Sequence, residues 1–216
     1  MKRESGFTLI ELMIGLIVGL IVLSAIIYTF LSTMKSSKEI VNSARLNREV
    51  SVMTDLLTGE LRRAGYYPVQ AVLAGSDYGY GSGQSDFYFN EANNCVLISY
   101  YDDAIASVAK RGFRFVDSSS SLNYGTVSSL DDSGCTSLNT PIHDSNNISV
   151  SDAQLDLVCI DVATQSAASE AQCSLPTVTN TYSRAVSLAF NVSVVNDSTW
   201  TTEIKEFVKL PNDLSP

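Results

Sequence analysis

The sequence predicts an α+β protein in which a long N-terminal α-helix packs on an antiparallel β-sheet head. Three observations predict this fold class. An apolar segment opens the chain, an amphipathic segment of helical period follows it, and short β-rich runs then alternate with long Ser-, Asn- and Asp-rich stretches that we expect disulfides to staple. We therefore expect one helix of about 60 residues and a single head domain of roughly 150 residues.

The apolar segment covers residues 7–31, with Glu11 as its one charged residue and with no proline. A helix of this length spans about 37 Å, which is enough to cross a hydrocarbon core of about 30 Å. Lys2 and Arg3 precede the segment, so the N-terminus should stay cytoplasmic and the rest should be exported. The sequence therefore predicts a single-pass membrane protein.

Glu11 is unusual inside such a segment, because a carboxylate there costs roughly 2.5–3.5 kcal/mol on insertion. Two interpretations remain open. Glu11 lies near the helix start and reaches the membrane interface, or a cation on another chain meets it inside an assembly. Gly15 and Gly19 form a small-xxx-small pair that would let helix backbones approach closely, although glycine is also common in membrane helices.

Residues 32–65 continue the helix in amphipathic form. Gly65 before Tyr66-Tyr67-Pro68 indicates the helix stop. The apolar positions recur at spacings of three or four after residue 45, which predicts the face that packs on the head. These positions are Leu46, Val50, Met53, Leu57, Leu61 and Ala64.

The segment Gly6-Phe7-Thr8-Leu9-Ile10-Glu11-Leu12 resembles the class III signal of type IV pilins and type II secretion pseudopilins. The resemblance implies cleavage between Gly6 and Phe7, N-methylation of Phe7, and a role for Glu11 in pairing with the N-terminal amine of a neighbouring subunit. It also implies the pilin lollipop outline. The expected divisions are a leader peptide, a transmembrane and polymerisation helix, its amphipathic continuation and a periplasmic head, at residues 1–6, 7–31, 32–65 and 66–216.

A second segment, Glu60-Leu61-Arg62-Arg63-Ala64-Gly65-Tyr66, resembles a signature of PilW-type minor pilins. Residues 94–102 and 111–115 also resemble that group, whereas J-type pseudopilins carry a related Asp/Glu-Leu-Arg segment. The resemblance implies an inner-membrane protein that later moves to the pilus or cell surface. Its implied partners are other minor pilins, the major pilin, the prepilin peptidase/methyltransferase, inner-membrane lipid and the assembly platform.

Short β-rich runs predict the strands of the head. The clearest is Ala185–Val194, where Val186, Leu188, Phe190, Val192 and Val194 alternate with smaller or polar residues. Trp200–Leu210 should return beside it as a C-terminal hairpin. Residues 117–147 and 163–181 should be long loops. The other predicted strands are Asp86–Phe89, Cys95–Tyr101, Gly112–Val116 and Leu155–Val162.

The cysteines Cys95, Cys135, Cys159 and Cys173 all lie in the exported part, where disulfides persist. Three pairings are possible. We favour Cys95–Cys135 and Cys159–Cys173, because each bond would close a loop that has little core of its own. No C-x-x-C spacing occurs and His143 is the only histidine, so we expect no zinc site.

Composition argues against several other functions. Residues 66–216 contain six basic and seventeen acidic residues, a net charge of −11, so we expect no binding to nucleic acid. No catalytic motif or cofactor fingerprint appears, and His143 should lie on the surface. The glycine-rich residues 74–85 lack the Lys-Ser/Thr of a phosphate loop. The acid pairs Asp102-Asp103 and Asp131-Asp132 lack a calcium-loop pattern and should be solvated charges.

A dense group of tyrosines should pack the junction of helix and head, although it would also suit a sticky partner surface. Its members are Tyr66, Tyr67, Tyr78, Tyr80, Tyr88, Tyr100 and Tyr101.

The hypothesis that follows is a minor pilin that joins others in an initiating or tip complex of a type IV pilus by non-covalent packing. A J-type pseudopilin of type II secretion is one alternative. A tip adhesin or DNA-uptake pilin is another.

Overall fold

The structure, a computed structural model, describes residues 6, 8–68, 86–161, 164–168, 182–195 and 197–210 of the 216-residue chain. The chain divides into two compact units, Met1–Arg45 and Leu46–Pro216. The elements are α1 (Leu9–Arg63), β1 (Phe87–Asn90), β2 (Cys95–Asp102), β3 (Ser107–Val116), β4 (Ser121–Thr126), α2 (Asp132–Ser137), β5 (Ile148–Asp161), β6 (Ala167–Ala168), β7 (Tyr182–Val194) and β8 (Asp197–Lys209).

Within the first unit, α1 is a continuous α-helix from Leu9 and its apolar side chains are exposed. The hydroxyls of Ser24, Thr29 and Thr33 do not interrupt it, because each donates to a backbone carbonyl three or four residues earlier. The helix is long and apolar enough to span a membrane, and its most apolar window is not buried by any other part of the described chain.

Within the second unit, the last part of α1 supplies one wall of the core. Leu46, Met53, Leu57 and Leu61 are at most 3% exposed, and Val50 packs against them. The spacing of three or four residues predicted this face, and the structure confirms it. Each such side chain contributes roughly 1.5–3 kcal/mol through burial.

The described strands form two four-stranded antiparallel sheets, in the orders β1-β2-β3-β4 and β6-β5-β7-β8. We call them the first and second sheets. Strand β2 is buried on both faces, which explains its nearly continuous apolar sequence. Val96, Ile98 and Tyr100 face the main core, whereas Cys95 and Leu97 belong to a smaller cluster on the opposite face.

The second sheet contains the predicted C-terminal hairpin of β7 and β8. The alternating apolar residues of β7 are buried, as the period of two indicated, and so are Ile204 and Val208 of β8. The Arg184 side chain of β7 donates to both carboxylate oxygens of Asp86 at 3.1 Å, just before β1. This ion pair and the Phe115–Phe190 ring contact, with centroids 5.1 Å apart, join the two sheets.

Residues 127–145, which we call the covering segment, pack on the outer face of the first sheet and contain helix α2. Its Cys135 forms a disulfide with Cys95 of β2, the pair expected from the sequence. Gly134 permits close packing, because a Cβ there would collide with the Ser129 carbonyl oxygen and lie 2.9 Å from Leu97 Cδ1. Cys159 is also disulfide-bonded. Its expected partner, Cys173, lies outside the described residues, so that pairing stays a prediction.

The prediction of a long loop over residues 117–147 is wrong in part, because the segment contains β4 and α2. Strand β4 pairs with β3 along its whole length, and its buried residues include polar ones such as Ser121 and Asn123. Polar composition therefore concealed a strand. Strand β5 also begins earlier than expected, at Ile148, and β3 begins at Ser107.

The prediction of a surface His143 is wrong as well. This side chain is 6% exposed, and its Nε2 accepts a hydrogen bond from the Leu122 backbone N–H at 3.3 Å. The covering segment folds His143 against β4, where burial lowers its pKa below the ordinary value of 6.5.

Candidate functional site

The start of α1 is the first candidate site. Thr8 precedes the helix, and its Oγ1 accepts a hydrogen bond from the Glu11 backbone N–H at 3.4 Å. The sequence Thr8-x-x-Glu11 has the spacing of a capping box, and this bond is the threonine half of that motif. Glu11 also lies in the first helical turn, where the helix dipole favours a negative charge. This cap was not predicted, although its spacing is visible in the sequence.

Capping does not account for Glu11 inside an apolar segment. A carboxylate at a helix start gains about 0.3–1 kcal/mol from the dipole, against roughly 2.5–3.5 kcal/mol for its insertion near the membrane centre. The Glu11 side chain is exposed, and so are the apolar side chains around it, such as Leu9 and Leu12. This exposed carboxylate is accessible to a charge on another molecule.

Gly15 and Gly19 follow Glu11 at intervals of four residues, so the three lie along one side of the helix. A Cβ at either glycine would have no atom within 4 Å among the described residues. Contacts within the chain therefore do not require glycine here. The result is a smooth strip that begins at a carboxylate. Phe7, the expected methylation site, lies outside the described residues.

The junction between α1 and the first sheet is the second candidate site, and it consists of the segment that resembles PilW-type minor pilins. Gly65 ends the helix with a φ of 72°, a left-handed conformation that suits glycine. Its N–H donates to the Ser99 carbonyl of β2 at 2.9 Å, and the Tyr101 N–H donates to the Tyr66 carbonyl at 2.7 Å. The end of the helix is thus attached to β2 by backbone bonds.

Side chains reinforce this junction. The Tyr100 hydroxyl, on a side chain that is buried, donates to Glu60 Oε2 at 3.0 Å. Arg63 donates to the other Glu60 oxygen at 3.3 Å, and its guanidinium lies 4.1 Å from the centre of the Tyr100 ring. Burial raises the pKa of Tyr100, and burial next to the Glu60 charge raises the pKa of Tyr124 to about 12. Both phenols therefore remain neutral donors at physiological pH.

Some members of the tyrosine group pack at the junction of helix and head, as expected, and others do not. Tyr67 and Tyr100 contact the junction, and the Tyr67 hydroxyl lies 2.9 Å from Ser99 Oγ. Tyr66 is 43% exposed, whereas the Tyr88 hydroxyl donates to Asp132 at 2.8 Å, away from the helix. Tyr78 and Tyr80 lie outside the described residues, as does the glycine-rich segment at residues 74–85.

Asp131 and Asp102, one from each acid pair, have contacts within the fold. Asp131 caps α2 through bonds from Ser133 and Gly134. The Ser133 side chain is the main cause that lowers the pKa of Asp131 to about 2. Asp102 lies 3.9 Å from Arg63 and accepts from the Ala104 N–H at 3.0 Å. Within the described ranges, no group of three or more His, Cys, Asp or Glu residues is arranged to hold a metal ion.

Two family models match parts of this chain. The family model of prepilin peptidase-dependent protein B (PpdB) matches residues 39–210, and the model of the prokaryotic N-terminal methylation motif matches residues 1–27. No curated protein matches the chain. Among solved structures, the type IV-like pilin TTHA1219 from Thermus thermophilus has 14% identity and a TM-score of 0.46, over 78% of this chain and 97% of its own.

An apolar N-terminal helix with a methylation motif, followed by an antiparallel β head with a disulfide, defines a type IV pilin-like protein. The PpdB model covers well over half of the sequence. The chain therefore belongs to the prepilin peptidase-dependent protein B family. The motif and the apolar helix indicate membrane anchoring and association with pili.

Proposed function

We propose that this protein is a minor type IV pilin that helps to initiate pilus assembly or to form the pilus tip complex. The observation that carries the proposal is Glu11, an exposed carboxylate in the first turn of an exposed apolar helix that carries the methylation motif. A helix with this surface needs lipid or other helices around it. Filament packing provides the helices, and a neighbouring amine provides the charge.

Processing comes first in this proposal. A prepilin peptidase cleaves between Gly6 and Phe7, and the new N-terminus of Phe7 is methylated. The name of the family, prepilin peptidase-dependent, supports this step. Residues 1–6 are then the leader, residues 7–31 the transmembrane and polymerisation helix, and residues 32–65 its amphipathic continuation.

Assembly is non-covalent. The helix stays in the inner membrane, with residues 66–216 in the periplasm, until the assembly platform extracts it into the filament. Glu11 then pairs with the Phe7 amine of a neighbouring subunit, and the strip formed by Gly15 and Gly19 lets the helices approach. Removal of one member of such a pair is costly, because the other charge remains in an apolar environment.

The minor-pilin assignment rests on the junction segment and the head. Glu60, Arg63 and Gly65 each have a specific contact with β2, so the segment that resembles PilW-type pilins acts as a unit. The partners we propose are other minor pilins and the major pilin. We expect no nucleic-acid partner, because residues 66–216 carry a net charge of −11.

Substitution of Glu11 tests this proposal. In cells where the variant is the sole copy, Glu11→Ala should be cleaved and inserted in the membrane but should not support piliation. The matched control is Glu39→Ala, which removes an exposed carboxylate from the same helix beyond the apolar segment. Normal pili with Glu11→Ala, counted by electron microscopy, would refute the role of Glu11.

The main rival is a J-type pseudopilin of type II secretion, since such proteins share the Asp/Glu-Leu-Arg pattern found at Glu60-Leu61-Arg62. Affinity purification of the full chain in detergent separates the two functions. Recovery of minor pilins supports the pilus, whereas recovery of secretion pseudopilins alone supports the rival. A tip adhesin or DNA-uptake pilin is the other alternative, and a DNA-mixing assay at low salt tests the latter.

A further inference from the structure

Two adjoining cavities open in the second unit, beside the turn between β3 and β4. One has a volume of about 280 Å³ and the other of about 380 Å³. Ser119 and Ser145 line both cavities, so the two form one groove, which we call the serine groove. The described residues that line the larger part are serines, valines and one isoleucine.

The smaller part of the serine groove has a floor and a wall. The floor is the outer face of the first sheet, where Arg114 of β3 lies directly opposite Asn123 of β4 in the strand register. Val116 and Ser121 form the next pair on the same face. The wall is the part of the covering segment that runs from Asn139 to Ser145.

Two polar atoms on this floor lack partners. Asn123 is 5% exposed, and although its Nδ2 donates to the Leu138 carbonyl at 3.0 Å, its Oδ1 has no hydrogen-bond partner. The buried Nε of Arg114 has none either. A buried polar atom without a partner costs about 1–3 kcal/mol. Both side chains line the smaller cavity, and each has a buried atom whose hydrogen-bonding capacity no described group uses.

Charge narrows the class of ligand further. Arg114 is the one ionic side chain among the described residues that line the smaller cavity. Within the described part of the chain, Arg114 has no ion pair with a carboxylate. An arginine fork suits a carboxylate, which it can bind through two parallel hydrogen bonds. The acidic surface of the head opposes an anion at long range, but physiological salt screens that repulsion beyond about 8 Å.

We propose that the serine groove binds an acidic sugar, a ring rich in hydroxyl groups that carries a carboxylate. The carboxylate would bind to the Arg114 guanidinium, and the hydroxyl groups of the ring would bind to Asn123 and to the serine hydroxyls of the groove. This proposal does not depend on the role of the chain in the filament, because the groove lies in the head and uses neither Glu11 nor the junction.

Titration of the full chain with glucuronate tests the proposal. The protein is held in an amine-oxide detergent, since a sugar-based detergent would compete, and binding is followed by calorimetry. Glucuronate should bind with a Kd on the order of millimolar, as expected for a single small polar ligand. Glucose and inorganic sulfate should each bind about tenfold more weakly, because each lacks one of the two features.

Variants locate the binding site. Arg114→Gln should weaken glucuronate binding about tenfold or more, whereas Arg48→Gln, a matched change at an exposed arginine of α1, should not alter it. Ser145 is exposed on the rim, so Ser145→Phe should block the groove even if Arg114→Gln proves unstable. No saturable glucuronate binding, equal binding of sulfate or glucose, or binding unchanged by Ser145→Phe would each overturn the proposal.

Discussion

Glu11 and Glu60 are two carboxylates of one helix in opposite situations. Glu60 is 9% exposed, and its carboxylate accepts hydrogen bonds from Tyr100 and Arg63 of the same chain. Glu11 is exposed among apolar side chains, and its backbone N–H is the group that Thr8 satisfies. The contrast separates their roles, because Glu60 stabilises the fold whereas Glu11 remains available to another molecule.

Replacement of Glu60 should destabilise the head. Glu60→Ala removes the acceptor of the buried Tyr100 hydroxyl and one partner of Arg63, so the free energy of unfolding should fall by about 1–3 kcal/mol. Urea denaturation of the full chain in detergent measures this, with the fluorescence of Trp200, which packs against the core, as the signal. Glu203→Ala, at a side chain 57% exposed, is the control and should change stability by less than about 0.5 kcal/mol. An equal effect of both variants would contradict a structural role for Glu60.

Burial of His143 predicts a pH dependence of stability. The folded state holds the pKa of His143 below its ordinary value of 6.5, so the unfolded chain binds a proton more readily. The contribution of neutral His143 to the free energy of unfolding is complete above pH 6.5. It is lost as the pH falls through the folded pKa, with a slope of at most about 1.4 kcal/mol per pH unit.

His143→Gln keeps an acceptor for the Leu122 N–H but does not titrate. Denaturation curves between pH 8 and pH 5 should therefore show a smaller loss of stability for this variant than for the natural chain. Identical slopes for the two proteins would mean that His143 takes up its proton equally well in the folded state.

The role of a single residue could be predicted where a few neighbouring positions in the sequence are enough to indicate it. Glu11 stands out within five residues of Gly6, and Gly65 with the three residues after it marks a helix stop. The partner of Glu60 was not predictable, because Tyr100 lies forty positions away and only the fold brings them together. His143 was misassigned for the same reason, since a polar loop sequence does not reveal that β4 runs beneath it.

The secondary-structure elements with a regular pattern were predicted well. The apolar stripe of α1 and the alternation along β7 both follow from periodicity. The apolar face of the helix and the apolar face of the strand are each buried, as expected. Strand β4 and helix α2 were missed, because their sequences, Ser-Leu-Asn-Tyr-Gly-Thr and Asp-Ser-Gly-Cys-Thr-Ser, have the composition of a loop. Strand β4 is held by its hydrogen-bonded pairing with β3, and α2 is held in part by the Asp131 cap, so neither depends on apolar burial alone.

The Cys95–Cys135 disulfide holds α2 against the first sheet, so its removal should affect this element most. The bond spans a sequence separation of 40 residues, and the chain-entropy model gives about 4 kcal/mol for such a loop. Cys95→Ala with Cys135→Ala should lower the free energy of unfolding by an amount of that order in urea denaturation. Thr136→Ala, an exposed position in α2, is the control. A loss below about 1 kcal/mol for the double variant would show that packing alone holds the covering segment.

The molecule as a whole joins two different surfaces in one chain. The first unit carries an exposed apolar helix, and the second has a packed core under an acidic surface. The apolar helix requires lipid or other helices, whereas the acidic head requires water. A pilin meets both requirements in turn, first in the membrane and then in a filament. The sequence predicted a long helix followed by an antiparallel β head, but it did not predict that the head contains two sheets, because strand order depends on long-range pairing.

The mass spectrum of the N-terminal fragment, taken from chain recovered with sheared pili, tests the central proposal most directly. We predict that the fragment begins at Phe7, carries one methyl group on its amine and is present in the pilus fraction. A chain that retains residues 1–6, or that occurs in membranes but not in pili, would contradict the proposal.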